Sequence, residues 1–418
     1  MDRFIIEGGR LLTGEIQVSG AKNAALPLMS AALLADGEYL FENMPNLRDT
    51  RTMLRLLNDL GAVGAIENNK CVLRVTPSNT RTAYYDLVKT MRASFYVLGP
   101  LLARYGEARV SLPGGCAWGP RPVDQHLKGL TKLGAQIDID AGYVVAKAEK
   151  LVGTEIIFEV SSVGATGNVL MAAIRAEGTT ILENCAREPE IVQLCEMLVA
   201  MGAQIEGIGQ SRLTIHGVSE LHPVAIKVIP DRIEAGTYLI AAAITGSKLR
   251  VANCYGSDLG IVLDKLREAG CVTEIGQNVV DIERTGSLHA VDIKTAPYPG
   301  FPTDLQAQWI ALMTQADGDS RVTETIYFDR FTHIAELQRL GAEINLDGNV
   351  AVVAGGCKLK GAPVMSTDIR ASSSLVLAGL AATGTTSVSR IYHLDRGYEQ
   401  LEVKLMAAGA SIRRERED

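Results

Sequence analysis

Two series of glycines divide the 418-residue chain into six similar segments. Within each series the glycines recur at intervals of about 70 residues, and two markers that keep one period indicate internal repeats. No local pattern constrains the fold as strongly, because every segment must form the same supersecondary unit. The first series comprises Gly37, Gly106, Gly178, Gly246, Gly318 and Gly384, and the second comprises Gly61, Gly134, Gly202, Gly270, Gly341 and Gly409.

Each segment has the same order of predicted elements. An almost wholly apolar stretch precedes the first glycine and predicts a helix buried on all sides, with the glycine ending it. A strand, an amphipathic helix that ends at the second glycine, and two further strands follow, as in 248–254, 124–133, 136–139 and 143–146. The buried helices are predicted at 24–35, 94–105, 168–176, 237–245, 305–316 and 372–383.

Six β-α-β-α-β-β units predict an α/β protein with three units in each of two domains. A chain of this length exceeds what one hydrophobic core usually serves. The midpoint of the repeat series places one domain at 20–229 and the other at 230–418. Residues 1–19, with predicted strands at 4–7 and 15–18, are expected to complete the second domain, which otherwise lacks an opening strand.

Charge and cysteine content exclude several classes of function. The formal net charge of -7 does not favour nucleic acid or an anionic membrane surface as a partner. The seven cysteines form no CxxC pair and do not cluster with the six histidines, which predicts reduced thiols, a cytoplasmic location and no metal site. Neither a signal peptide nor an apolar run long enough to span a membrane is expected, and no cofactor motif is found.

Charged residues recur where the repeats predict helix starts. The positions that open the buried helices are Asn23, Arg92, Gly164, Arg232, Asp304 and Arg370, and Arg48, Arg121, Arg330 and Arg396 mark the amphipathic helices. Arginine is disfavoured at a helix N-terminus by the helix dipole unless an anion binds there too. Together with Lys22, the set predicts a site for a multiply charged anion between the domains. The alternative is that each arginine pairs with an adjacent acid, as in Asp329-Arg330, Asp368-Ile-Arg370 and Asp395-Arg396.

Two further residues are candidates for acid and base chemistry. Cys116 lies in a loop with three glycines and two prolines, near Arg121 and His126, where a thiol can act as an acid or nucleophile. Asp304 is a carboxylate among arginines and could accept a proton from a substrate hydroxyl. The alternatives are an incidental exposed cysteine and a helix-capping aspartate.

The repeats and candidate residues described above lie in both predicted domains. In these features the chain resembles the enolpyruvyl transferases over essentially its whole length. The segments that carry the resemblance are 19–24 (SGAKNA), 113–116 (PGGC), 119–124 (GPRPVD), 186–191 (AREPEI), 230–234 (PDRIE), 301–304 (FPTD) and 395–399 (DRGYE). The family implies a two-domain inside-out α/β barrel of six βαβαββ repeats with an active site in the interdomain cleft. The motifs further imply transfer of the enolpyruvyl group of phosphoenolpyruvate to the 3′-hydroxyl of UDP-N-acetylglucosamine, the first committed step of peptidoglycan synthesis.

The resemblance also implies residue roles. Cys116 is the loop cysteine that protonates C3, forms a covalent phosphoenolpyruvate adduct and reacts with fosfomycin, although it could serve mainly in product release. The implied catalytic residues are Cys116, Asp304, Lys22 and Arg396, with Asp304 as the base. The implied phosphoenolpyruvate-binding residues are Lys22, Asn23, Arg121, Arg330, Arg370 and Arg396. The implied UDP-N-acetylglucosamine-binding residues are Asn23, Arg92, Arg121, Pro122, Val123, Asp124, Gln125, Ser162, Val163, Asp304 and Ile326.

Three positions depart from the family pattern, and three rival functions stay open. Arg48 and Val160 stand where lysine is usual, and Gln125 replaces a common leucine, so the nucleotide contacts are expected to differ. The rivals are a sister enzyme that acts on shikimate 3-phosphate, a silent UDP-sugar-binding paralogue and an RNA-terminal cyclase. The Cys116 loop argues against the sister enzyme. The joint presence of Cys116, Asp304 and Lys22 argues against a silent paralogue, and the acidic net charge argues against a cyclase.

Overall fold

The computed structural model describes residues 2–113 and 123–416. Contacts within the chain divide it into two compact units. Unit 1 comprises Met1–Ser19 with Pro230–Asp418, and unit 2 comprises Gly20–Ile229. Each unit has its own core of buried apolar side chains, and each of the two buried clusters found among the described residues lies within one unit. The α/β prediction is confirmed.

Twenty-four strands form six four-stranded sheets within the described chain, three in each unit. In each sheet the first two strands are parallel, as β6 and β7 are, and the other pairings are antiparallel. In sheet order, the strands of unit 2 are β14 (Ala225–Lys227), β3 (Gly37–Glu42), β5 (Lys70–Val75) and β4 (Ala62–Glu67); β6 (Thr82–Ala83), β7 (Glu107–Ser111), β9 (Tyr143–Lys147) and β8 (Gln136–Asp140); and β10 (Glu155–Ile157), β11 (Thr179–Glu183), β13 (Arg212–His216) and β12 (Gln204–Glu206). Those of unit 1 are β2 (Glu15–Gln17), β15 (Lys248–Ala252), β17 (Val279–Arg284) and β16 (Cys271–Gly276); β18 (Ile293–Lys294), β19 (Ser320–Thr323), β21 (Val350–Val353) and β20 (Ile344–Asp347); and β22 (Pro363–Met365), β23 (Thr385–Ser389), β1 (Asp2–Glu7) and β24 (Ser411–Arg416).

The two N-terminal strands join two different sheets of unit 1. β1 lies between β23 and β24 and pairs with both in antiparallel register, for example Ile6 with Thr386 and with Ile412. β2 lies parallel to β15 at the edge of the sheet that opens the fourth repeat. The segment before Gly20 therefore supplies strands to the fourth and sixth repeats.

The helices form two classes, as the apolar and amphipathic patterns predict. The buried class is α1 (Lys22–Ala31), α4 (Leu98–Tyr105), α6 (Val163–Ala173), α8 (Arg232–Thr245), α10 (Gln306–Met313) and α12 (Ile369–Ala381). The half-buried class is α2 (Arg48–Asp59), α5 (Asp124–Lys132), α7 (Pro189–Ala200), α9 (Gly260–Glu268), α11 (Ile334–Arg339) and α13 (Leu401–Ala407). A short helix α3 (Tyr85–Val88) and the 3₁₀ turns Ala32–Leu34, Arg92–Val97, Gly256–Leu259, Thr303–Leu305 and Ile391–Arg396 complete the set.

Packing within each unit explains why one class of helix is apolar on all faces. In unit 1, α8, α10 and α12 pack against one another and against the sheets, so none keeps a face for water. Small side chains permit this close approach, since a Cβ at Gly236 of α8 would lie 2.5 Å from Leu305. None of the described helices is long and apolar enough to cross a membrane.

The glycines that revealed the repeats share a backbone conformation. All twelve have positive φ, between 71° at Gly246 and 128° at Gly37. Gly106 and Gly246 end α4 and α8 in the left-handed conformation. This conformation costs residues with a Cβ more than glycine, which is why the period is visible in the sequence.

Two of the predicted helix starts are wrong. Arg330 lies in a turn before α11, which begins at Ile334, and Arg396 ends the 3₁₀ turn Ile391–Arg396 rather than opening α13. The outer helices of the fifth and sixth repeats have only six and seven residues, against twelve in α2 and α7, so counting back from the glycine places their starts too early. Arg48, Arg232 and Arg370 lie in the first turn of their helices as predicted.

Candidate functional site

A carboxylate held between two arginines lies at the start of α10 in unit 1. Asp304 belongs to the 3₁₀ turn Thr303–Leu305, and its two oxygens accept hydrogen bonds from different guanidinium groups. Oδ1 is 2.8 Å from Nη2 of Arg330, and Oδ2 is 2.9 Å from Nη2 of Arg370. We call these three residues the Asp304 cluster. It brings together three predicted site residues and carries a net charge of +1.

Burial and charge act in opposite directions on this carboxyl group. Burial alone would raise the pKa of Asp304, but the charges of Arg370 and Arg330 and their hydrogen bonds hold that pKa well below its ordinary value. The same pairing raises the pKa of Arg370 despite its burial. Asp304 and Arg370 are therefore both ionised at neutral pH.

Arg330 has a second anchor besides Asp304. Its Nη1 donates to the hydroxyl of Thr303 at 2.9 Å, and that hydroxyl donates to the buried carboxylate of Glu324 at 2.8 Å. Glu324 also accepts from the backbone N–H of Ile326 at 2.7 Å. The turn that carries Ile326, a predicted sugar-nucleotide residue, is thus bonded to the group that orients Arg330.

Arg370 is anchored by a buried hydroxyl network. Its Nη1 lies 3.3 Å from the hydroxyl of Tyr398, which is 2.9 Å from the hydroxyl of Thr237. The Gln308 amide donates to both hydroxyls at 3.2 Å and to the backbone oxygen of Asp304 at 3.0 Å. Three buried helices of unit 1 therefore meet at this network, which fixes one side of the Asp304 cluster.

The start of α1 in unit 2 carries a paired cation. Nζ of Lys22 lies 3.5 Å from a carboxylate oxygen of Asp49, which belongs to the first turn of α2. Both side chains are almost fully buried. Asn23, the next residue of α1, is half-buried. Because a buried charge is costly without a partner, Asp49 compensates the burial of Lys22.

A second buried polar network of unit 2, around Asn168, contains only neutral groups. Asn168 accepts from the Gly99 N–H at 2.6 Å and donates to the Phe95 oxygen at 2.9 Å, and its amide nitrogen is 3.1 Å from Nδ1 of His126. Burial, and then the charge of Arg92, lower the pKa of His126 to about 3. We call these residues the His126–Asn168 network. His126 therefore packs as a neutral side chain at physiological pH.

The predicted sugar-nucleotide residues of unit 2 lie where α5 and α6 begin. Asp124 opens α5, and Ser162 caps α6 by accepting from the Ala165 N–H at 3.3 Å. Gln125 accepts from the backbone N–H of Val160 at 3.3 Å. The two departures from the family pattern in this region are therefore in direct contact.

The remaining predicted site residues make fewer contacts or lie outside the described part of the chain. Val163 accepts from the Tyr96 hydroxyl at 3.3 Å, Arg92 begins the turn before α4, and Val123 precedes α5. Cys116, Arg121 and Pro122 lie outside the described residues. Arg396 ends a 3₁₀ turn of unit 1.

The other six cysteines have structural surroundings, as predicted. Five are buried and Cys357 is half-buried. Burial raises the pKa of Cys71 to about 11 and that of Cys195 to about 12, so these thiols are not reactive near neutral pH.

For two of the three arginines in unit 1, the alternative pairing with an adjacent acid is not found. Arg330 and Arg370 pair with Asp304 and not with the acids beside them in sequence. Asp368 instead caps α12, and Asp395 pairs with Arg414 at 2.6 Å. Asp304 caps no helix with its side chain, because both oxygens bind guanidinium groups.

Several residues that build the site are absent from the sequence candidates. Tyr398 and Thr303 lie within motifs 395–399 and 301–304, so proximity to a candidate could have indicated them. Nothing in the sequence singles out the supporting side chains Asp49, Thr237, Gln308 and Glu324.

Comparison with known proteins gives full-length matches. The family model of EPSP synthase (3-phosphoshikimate 1-carboxyvinyltransferase) matches residues 6–405. Proteins named UDP-N-acetylglucosamine 1-carboxyvinyltransferase from Chlorobium chlorochromatii and Geobacter metallireducens are each 54% identical over 419 residues. The first match covers 100% of this chain and 99% of the relative, and the second covers 100% of both.

Solved structures agree on the fold. The enolpyruvyl transferase NikO from Streptomyces tendae has a TM-score of 0.90 at 27% identity, covering 99% of this chain and 98% of its own. EPSP synthase from Acinetobacter baumannii has a TM-score of 0.77 at 19% identity over 100% of both chains, a similarity of fold alone. By the match to its model and the identity to its named members, this chain belongs to the EPSP synthase family of enolpyruvyl transferases.

Proposed function

We propose that the protein transfers the enolpyruvyl group of phosphoenolpyruvate to the 3′-hydroxyl of UDP-N-acetylglucosamine and releases phosphate. The observation that carries this proposal is the 54% identity, over the whole chain, to relatives named for that carboxyvinyl transfer. The reaction would be the first committed step of peptidoglycan synthesis and would take place in the cytoplasm. No cofactor or metal is required by this chemistry.

The proposed architecture is a pair of inside-out α/β barrels with the active site in the cleft between them. Three repeats per unit, with apolar helices inside and sheets outside, support a barrel in each unit. Proposed site residues occur in both units, Lys22 in unit 2 and Asp304 in unit 1.

The proposed roles follow the chemistry of the substrates. Lys22, Asn23, Arg121 and Arg396 bind the phosphate, and Arg330 with Arg370 bind the carboxylate of phosphoenolpyruvate. The sugar nucleotide contacts the residues that begin α5 and α6 together with Arg92 and Ile326. A buried cluster with net charge +1 supports the carboxylate site, because such a cluster is stabilised by an added anion.

The proposed reaction is an addition followed by an elimination. The sugar oxygen bonds to C2 of phosphoenolpyruvate while Asp304 accepts the hydroxyl proton, and C3 takes a proton from Cys116. The C2–O bond to phosphate then breaks, and C3 loses a proton to restore the double bond. General acid and base groups typically contribute about 10²- to 10⁴-fold each to such steps.

The experiment is phosphate release from phosphoenolpyruvate with UDP-N-acetylglucosamine, with and without prior incubation with fosfomycin. We expect release that depends on the sugar and is abolished by fosfomycin, with the adduct on Cys116. Shikimate 3-phosphate is the matched alternative acceptor, because the family model carries the name of that activity. Release with shikimate 3-phosphate, or with neither acceptor, would overturn the proposal.

A further inference from the structure

The proposed base and the proposed carboxylate site bind each other in this structure. Both oxygens of Asp304 are engaged, one by Arg330 at 2.8 Å and the other by Arg370 at 2.9 Å. Two N–H donors directed at two carboxylate oxygens form the arrangement by which arginines recognise a planar carboxylate. In this structure, the side chain of Asp304 supplies that carboxylate.

This arrangement conflicts with the function of a base. A carboxylate bonded to two guanidinium groups has little tendency to take a proton, because the charges of Arg370 and Arg330 outweigh its burial and lower its pKa. An aspartate that stayed in this position would accept the hydroxyl proton poorly. The same contacts occupy the donors that a substrate carboxylate requires.

The arginines and the aspartate differ in how they are held. Arg330 has a further hydrogen bond to Thr303, and Arg370 has a further contact with Tyr398, and neither involves the Asp304 carboxylate. Among the described residues, the Asp304 carboxylate pairs with the two arginines, and a quarter of its side-chain surface is open to solvent. The guanidinium groups can therefore stay in place while the aspartate side chain rotates away.

We propose that Asp304 occupies the two-arginine site that the carboxylate of phosphoenolpyruvate takes on binding, and that this exchange frees Asp304 to act as the base. The inference rests on the function proposed above and adds a condition to it. No covalent bond changes in the exchange, since one carboxylate replaces another on the same donors. The base is therefore released only when phosphoenolpyruvate is bound.

The test measures binding of phosphoenolpyruvate to the full-length protein by titration calorimetry, without the sugar nucleotide. Asp304→Asn removes the internal competitor, so the variant should bind phosphoenolpyruvate about ten- to a hundredfold more tightly than the wild type. Asp304→Ala removes both oxygens and should bind at least as tightly as Asp304→Asn. Affinity that is unchanged or weaker in both variants would overturn the inference.

Asp281→Asn is the matched control. Asp281 also binds one arginine through two hydrogen bonds, to Arg250 at 2.8 and 2.9 Å, but on the exposed face of a sheet in the same unit. Its replacement should leave the affinity for phosphoenolpyruvate unchanged. If Asp281→Asn bound phosphoenolpyruvate as tightly as Asp304→Asn does, the gain in affinity would be a general effect of removing a negative charge, and the exchange would be contradicted.

A measurement on the wild type keeps the inference testable if the variants fail to fold. In a crystal structure with phosphoenolpyruvate bound, both Asp304–arginine distances should exceed 4 Å while the substrate carboxylate lies on the two guanidinium groups. If the Asp304–arginine contacts are retained and sugar-dependent phosphate release is normal, the exchange is overturned but the proposed function is not. Absence of both binding and phosphate release would mean that the proposed function has failed as well.

Discussion

The Asp304 cluster of unit 1 and the His126–Asn168 network of unit 2 differ in charge. The first is an ion cluster, Asp304 with Arg330 and Arg370, supported by hydroxyl groups. The second is neutral, and every bond joins a side chain to the backbone or to another neutral group. Buried ions are a costly way to stabilise a fold, whereas a fully bonded neutral network is not, so we expect changes in the first to affect activity and changes in the second to affect stability.

The largest expected effect separates the two networks by activity. Asp304→Asn should lower the turnover number by about 10²- to 10⁴-fold, because the proposed base is lost. Phosphate release with UDP-N-acetylglucosamine measures it, with Asp281→Asn as a control that keeps normal turnover. If Asp304→Asn turned over substrate nearly as fast as the wild type, the Asp304 cluster would not serve catalysis as proposed.

Asn168→Leu tests the neutral network by stability. The Gly99 N–H and the Phe95 oxygen would lose their buried partner, which should reduce the free energy of unfolding by about 3 kcal/mol. Urea denaturation measures this, and the folded variant should keep near-normal turnover. A loss of turnover without a loss of stability would place Asn168 in the site and contradict the structural role.

His126→Gln tests the same network by pH. As the pH falls below about 6.5 the unfolded chain protonates this histidine, whereas the folded chain resists down to a pKa of about 3. Stability is therefore lost on acidification, at about 1.4 kcal/mol per pH unit. Between pH 7 and pH 5 the variant should lose about 2 kcal/mol less than the wild type in urea denaturation. Equal losses would show that His126 is not the group that titrates.

The smallest expected effect is on the KM for the sugar nucleotide, and it concerns the exposed residue Val160 of unit 2. Val160 is exposed beside Gln125, so Val160→Lys adds a cation near the predicted nucleotide residues without disturbing the core. An exposed ionic contact contributes about 0.2 to 1 kcal/mol, which predicts a KM for UDP-N-acetylglucosamine lower by about 1.4- to fivefold. Steady-state kinetics decide this, and an unchanged KM would place Val160 away from the nucleotide.

The sequence predicts the repeated elements because they depend on local chemistry. Positive φ at Gly61 or Gly246 and apolar faces all round α8 are properties of single residues and their neighbours. The partners of Asp304 could not be predicted in this way. Arg330 and Arg370 lie 26 and 66 residues from it, and the adjacent acids offered a plausible but incorrect pairing.

Supporting residues were missed for the same physical reason. Glu324 and Gln308 act through bonds that form only when separate repeats pack together, so no spacing marks them. The two incorrect helix starts, Arg330 and Arg396, arose where the outer helix is short, with six residues in α11 and seven in α13 against twelve in α2 and α7. The glycine period therefore predicts where an outer helix ends but not where it begins.

The placement of β1 has a consequence for synthesis on the ribosome. β1 is translated long before β23 and β24, the two strands between which it lies. Unit 2 contains all strands of its three sheets and can fold while the later residues are still being made. β1, whose side chains Phe4 and Ile6 are fully buried in the finished protein, must meanwhile wait for its partners. The nascent chain thus carries an unpaired strand with exposed apolar side chains during most of its translation. We expect chaperone binding to this strand to matter most in that period.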